Sequence, residues 1–192
     1  MEKKIYLLTK NPHKLLAAQK VFNKFNIKIG SIEKEFPEIQ AKTSLEIAKH
    51  MTQTAANEFN LPILREDHSL YIEALEYFPG PYTAYFDKNM PVEILLKMLE
   101  KFSNRNAKME LAASLTIPNI GTFESIYSVP LEISTVTKGE RGNWDKVLKL
   151  RGNNKTFSQG TGEENIDIWS KNYEILAEKF LEVLEKEKKL KN

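Results

Sequence analysis

Residues 61–86 read LPILREDHSLYIEALEYFPGPYTAYF. A short apolar run, Pro62-Ile63-Leu64, delivers two adjacent acids, Glu66 and Asp67, to what reads as a strand end. A second apolar stretch follows, then the rigid turn Pro79-Gly80-Pro81 and an aromatic cluster of Tyr82, Tyr85 and Phe86. Two carboxylates at the mouth of a strand are costly unless paired or bound to a cation. Hard divalent cations such as Mg²⁺ take carboxylate oxygens, so the pair is a candidate metal site. The competing reading is a solvated turn with Arg65 as the partner of the acids.

Upstream of this stretch, residues 5–8 (IYLL) have a buried-strand pattern and run directly into Thr9-Lys10-Asn11-Pro12-His13-Lys14. Asn11 suits a helix N-cap and Pro12 the first helical position. Leu15, Ala18, Phe22 and Phe25 then recur at helical spacing. A strand, a polar turn, a helix N-terminus and a lysine together make an anion site, because the free N–H groups and the dipole favour phosphate. A surface lysine on a first turn is the plain alternative for Lys14. Residues 27–32 alternate as a second strand. The loop Phe36-Pro37-Glu38-Ile39-Gln40 leads to a helix expected from Ser44 to Phe59, with Thr43 and Glu46 at capping-box spacing. Ala48, Met51, Ala55 and Phe59 form its expected buried stripe, with Lys49 near the edge.

Downstream, Pro91 opens a helix carrying Val92, Leu95, Leu96, Leu99 and Phe102. Residues 107–117 and 122–135 read as an antiparallel hairpin, with Pro130 marking an edge or a bulge. Residues 139–143 form a turn into Trp144-Asp145, residues 151–163 a polar loop, and residues 172–188 a final helix. The expected fold is α/β: a mixed central sheet flanked by helices, within a single domain over residues 1–192, with the hairpin region as a candidate second lobe.

Composition narrows the function. The 192 residues are 41% hydrophobic and 28% charged, as expected of a soluble globular chain. Lys plus Arg (28) against Asp plus Glu (26) gives +2, interleaved, which offers no footprint for a nucleic-acid duplex. No apolar run reaches membrane-span length, and no secretory leader is visible, so a cytoplasmic protein is the expectation. The absence of cysteine removes thiol nucleophiles and thiolate metal sites.

Five motifs then fall in one order: T-x-N-x-x-K at Thr9–Lys14, a PE loop at Pro37-Glu38, the acids Glu66-Asp67 followed by Pro79-Gly80-Pro81-Tyr82, Asn143-Trp144-Asp145, and Lys155-Thr156-Phe157. In this order the chain resembles the inosine triphosphate pyrophosphatase family, house-cleaning enzymes that cut non-standard purine nucleoside triphosphates (ITP, dITP, XTP) to the monophosphate and pyrophosphate. The resemblance implies a two-lobed α/β fold with the nucleotide in the cleft between lobes, a Mg²⁺ cofactor and a homodimer. It implies that Thr9, Asn11, Lys14 and Lys49 face the triphosphate, and that Glu38, Glu66 and Asp67 bind the metal, with Asp67 deprotonating the attacking water. Trp144 would stack on the base, the alternative being a core tryptophan, and Asp145, Ser170 and Lys171 would seat the nucleoside. The family's S-H-R element is replaced here by Trp169-Ser170-Lys171, its basic residue after the P-G-x-Y tyrosine by Ala84, and its aromatic-glycine pair by Gly142-Asn143. The acid half of the site is thus retained and the base-reading half altered. Two alternatives stay open: a same-fold pyrophosphatase for other nucleotides, and a nucleotide-binding protein without catalysis.

Overall fold

The structure is a computed structural model that describes residues 3–161 and 166–191. Strand β1 (Lys4–Leu8) is followed by helix α1 (Pro12–Lys24), β2 (Lys28–Ile32) and α2 (Ser44–Phe59). Next come β3 (Ile63–Ile72), the short β4 (Pro79–Gly80), α3 (Thr83–Asn89) and α4 (Val92–Met98). The long hairpin β5 (Asn106–Ile117) and β6 (Gly121–Ile133), β7 (Leu148–Leu150), α5 (Ile166–Trp169) and α6 (Lys171–Lys191) complete the chain. The strands form one mixed sheet in the order β2-β1-β3-β5-β6-β7, with β4 beside β3. The expected α/β class and mixed sheet are therefore present.

Local chemistry sets the element boundaries. Asn11 caps α1, its side-chain oxygen accepting from the N–H groups of His13 (2.9 Å) and Lys14 (3.4 Å). Thr43 and Glu46 close a full capping box on α2, and Asn60 ends that helix in the left-handed region at φ 53°. Pro130 costs the β5–β6 ladder nothing: its carbonyl accepts from Arg151 N–H, so its nitrogen faces away from β5, and pairing there has no bulge.

Three expectations are corrected. Glu66 and Asp67 lie in the middle of a ten-residue strand rather than at its end, because β5 pairs with β3 along its whole length. The β5–β6 hairpin is no separate lobe; its strands run through the common sheet. Phe102 lies beyond α4 and is exposed.

The sheet face bearing Leu64, Leu70 and Ile72 carries two apolar clusters. One joins Leu64, Ala113 and Leu115 to Phe22 of α1 and to Tyr173 and Phe180 of α6. The other joins Leu70, Ile72, Leu111 and Leu131 to Val92, Leu95, Trp144 and Val147. A polar band separates them. Glu66 and His68 share this face of β3, since side chains two apart on a strand point the same way. Asn172 of α6 continues the band by donating to Leu111 O (2.8 Å) and accepting from Ser125 Oγ (2.8 Å). On the opposite face α2 packs Ile47, Met51 and Ala55 against Leu8 and Ile63.

Candidate active site

The site begins as a gap in the sheet. On the side of β3 away from β5, β1 pairs only with Ile63 and Leu64, and β4 only with Leu70 and Tyr71. The edge from Arg65 to Ser69 is left without a strand partner there, and unpaired backbone polar groups need other partners. Side chains supply them. Lys14 Nζ donates to Glu66 O (3.0 Å), His68 N–H donates to Asp67 Oδ1 (3.1 Å), and Leu70 N–H donates to Thr83 Oγ1 (2.7 Å). The N-terminus of α1 and the end of β1 open onto the same gap.

A cleft of about 740 Å³ fills this space, lined among others by Thr9, Asn11, Lys14, Glu38, Glu66 and Asp67. Six residues expected from distant parts of the sequence are thus brought together. Its ion pairs are already formed: Lys10 with Glu35, Lys34 with Glu58, and Arg65 with Glu38. Lys49 is not among the lining residues. It pairs with Glu124 of β6 (2.8 Å), and the α2 residue that borders the cleft is Met51. Positions two apart on a helix are about 200° apart around the axis, so both cannot face the cleft. Glu46 is occupied by the cap, its carboxylate accepting from Lys42 and Thr43 N–H, which leaves Glu38 as the loop acid at the cleft.

Glu66 and Asp67 occupy opposite faces of β3, and the cleft reaches both by wrapping around the free edge. The Glu66 carboxylate is buried. Its Oε1 lies 2.8 Å from His68 Nε2 and accepts from the Tyr173 hydroxyl (3.2 Å), while Oε2 is buried without a partner among the described residues. Burial, and then the Glu66 charge, push the Tyr173 phenol well above its ordinary pKa, so it stays a donor to Glu66. Among the described residues, no three acid, histidine or cysteine side chains form a ready-made cation site.

His68, the partner of Glu66, lines a second pocket of about 380 Å³ with Met109, Arg141, Asp145, Lys155, Phe157 and Trp169. The His68 and Trp169 rings are near parallel, with centroids 6.1 Å apart, and Phe157 meets Trp169 edge-on at 5.4 Å. The Asp145 residue is exposed as a whole, yet its carboxyl lies against the Gly142 turn and is partly desolvated. That desolvation, and secondarily the charge of Asp87, raise its pKa against the opposing effect of Arg141.

The other expected base contacts are not in this pocket. Trp144 is 1% exposed in the apolar core, its indole donating to Met90 O (3.0 Å), so it has no free face for a base. The turn before it is locked: Gly142 has φ +67°, and a Cβ there would lie 2.6 Å from the Asp145 carboxylate. Asn143 ties that turn to α4 by accepting from Val92 N–H (3.0 Å) and donating to Met90 O (2.8 Å). Lys171 is exposed and pairs with Glu174 (3.1 Å). Ser170 is buried, its carbonyl accepting from Tyr173 N–H (3.0 Å) at the start of α6. The contributors that the sequence reading missed are His68, Trp169, Tyr173 and Arg65. His68 stood inside the acidic motif with no role assigned, Arg65 was read only as a partner of the acids in a solvated turn, and Trp169 stood inside the altered S-H-R element.

The sequence matches the Ham1 family over residues 5–173. It is 34% identical over 166 residues to the dITP/XTP pyrophosphatase of Ignicoccus hospitalis, covering 85% of this chain and 88% of that one. Identity to the dITP/XTP pyrophosphatase of Methanothermobacter marburgensis is 31% over 164 residues, covering 84% and 87%. In fold it is similar to the Ham1 protein structure from Coxiella burnetii, with TM-score 0.80 at 23% identity, covering 95% of this chain and 100% of that one. The Staphylococcus aureus Ham1 protein gives 0.78 at 24% identity, covering 93% and 98%. The family expected from the motif order is thereby borne out: the chain belongs to the Ham1 family.

Proposed function

We propose that this chain hydrolyses non-standard purine nucleoside triphosphates, ITP, dITP and XTP, to the monophosphate and pyrophosphate with Mg²⁺. The observation that carries the reading is the gap beside β3, where a helix N-terminus, Lys14 and the carboxylates of Glu38, Glu66 and Asp67 border one cleft, with Glu66 in contact with His68 of an aromatic pocket. Relatives named dITP/XTP pyrophosphatase support it. The triphosphate lies against Thr9, the α1 N-terminus and Lys14, which meet its charge. Asp67 takes the proton of the attacking water. The water oxygen bonds to one phosphorus of the α–β anhydride, the bridging P–O bond breaks, pyrophosphate departs and the proton passes on to solvent.

The donor chemistry fits Mg²⁺: Glu38, Glu66 and Asp67 are hard oxygen donors on one cleft, and Glu66 Oε2 is buried with no partner among the described residues. When bound, the metal neutralises phosphate charge and acidifies water. The base lies on Trp169 and Phe157, with Asp145 as acceptor and Arg141 and Lys155 as donors to its edge. A homodimer belongs to the same reading and is checked by light scattering.

The test measures pyrophosphate release from ITP, dITP and XTP. Wild type is expected to turn over with Mg²⁺ and to stop on chelation, and Asp67→Asn to lose about 10²- to 10⁴-fold in kcat, the usual worth of a general base. Equal, negligible turnover of every triphosphate tried would sink the proposal. One observation favours a second reading, a pyrophosphatase for other nucleotides: Lys171 is turned away, so this base edge is read by a different donor set. A panel that includes pyrimidine and modified triphosphates separates the two readings.

A further inference from the structure

The cleft that receives a triphosphate is short of uncommitted positive charge. Lys10 and Lys34 are exposed and paired with acids, Lys49 is diverted to Glu124, and the α2 side chain that borders the cleft is the apolar Met51. Two further cations line it: Lys14, whose Nζ donates to Glu66 O (3.0 Å), and Arg65. Arg65 shares its face of β3 with Asp67, and its side chain is only 17% exposed. Its Nη2 holds Glu38, while its Nε is buried with no partner among the described residues. Glu38, in contrast, has a side chain 57% exposed on a loop.

The two ends of this pair are therefore unequal: a mostly buried, half-satisfied guanidinium holds an exposed acid. Ion pairs with one exposed partner are weak, and a guanidinium fork matches phosphate oxygens in a bidentate way. We propose that Arg65 is a phosphate-binding residue of the cleft, and that it exchanges Glu38 for the substrate's phosphate oxygens when the nucleotide enters. The exchange releases Glu38 to act as a metal ligand, so the pair keeps the acids apart until substrate arrives. This rests on the triphosphate reading given above and assigns a residue which that reading does not use.

The test is calorimetric binding of inorganic tripolyphosphate in the presence of chelator, which needs neither metal nor turnover. Arg65→Ala is expected to weaken binding about tenfold or more and Arg65→Lys to lie between it and wild type, since lysine keeps the charge without the fork. Glu38→Gln is expected to tighten binding severalfold, because the competing anion is gone. A purely structural ion pair does not produce these opposite signs. Should Arg65→Ala lose its cooperative unfolding transition, Arg65→Lys and Glu38→Gln carry the result. Wild-type affinity in the Arg65 variants, weaker binding in Glu38→Gln, or no tripolyphosphate binding by wild type overturns the proposal. Pyrophosphate release from ITP, measured alongside, tests the activity separately: turnover with unchanged Arg65 variants refutes only the role of Arg65, and the binding pattern without turnover refutes only the activity.

Discussion

Two tryptophans and one aspartate show how position overrides residue type. Trp144 matches a motif but is sealed in the core with its indole N–H satisfied, whereas Trp169 matches none and lines the pocket. Base–aromatic stacking is worth about 1–3 kcal/mol. Trp169→Ala is accordingly expected to raise KM for ITP about ten- to hundredfold with a smaller effect on kcat, and Trp169→Phe to recover most of it. Trp144→Phe is expected to lower the unfolding midpoint and leave KM in place. Steady-state kinetics and thermal melts on the three variants decide between the tryptophans. For Asp145 the sign follows from its raised pKa. A carboxyl that binds its proton more tightly when folded adds stability below its unfolded pKa and loses it as pH rises through the folded value. Asp145→Asn is therefore expected to be more stable than wild type at pH 7, with the difference vanishing below about pH 4. Urea denaturation across that range measures it, and a wild type that is the more stable at pH 7 contradicts the assignment.

At the scale of elements, α1 and α2 were legible because their signals are local. Asn11-Pro12, Thr43 with Glu46, and the 3.6-residue stripes act within a few residues, and α1 and α2 begin where those caps stand. Thr43→Ala removes the side-chain acceptor for Glu46 N–H and is expected to cost about 1 kcal/mol in urea denaturation. Because α2 also presents Met51 to the cleft and Ser44 to Ser69 of β3, a frayed first turn should additionally soften the cleft wall. β3 was misread for the opposite reason. The polar run Arg65-Glu66-Asp67-His68-Ser69 looks like the end of a strand unless a distant partner is known to continue, and β5 supplies ten consecutive pairings from residues 107–116. α3 was likewise invisible behind its aromatic cluster.

At the scale of the molecule, the sheet is built so that a strip of polar groups crosses an otherwise apolar face. Asn172 anchors that strip by bonding Leu111 O and Ser125 Oγ at zero exposure. Leaving a buried polar group unpaired costs about 1–3 kcal/mol, so Asn172→Ala is expected to lower stability by that order. It is also expected to weaken ITP turnover through the adjoining Tyr173–Glu66 contact; melts and kinetics together check it, and an unchanged melting midpoint refutes the role of the strip. The sequence by itself determined the α/β class, the starts of α1 and α2 and the acids with their lysine, because caps, periodicity and motif order are read within short windows. Only the tertiary structure decided that Glu66 and Asp67 face opposite sides of one strand, that Lys49 and Lys171 are engaged elsewhere, and that Trp169 replaces Trp144 at the pocket. Those outcomes depend on which strand stops short beside β3 and on how far a helix has turned, and both are set by partners tens of residues away.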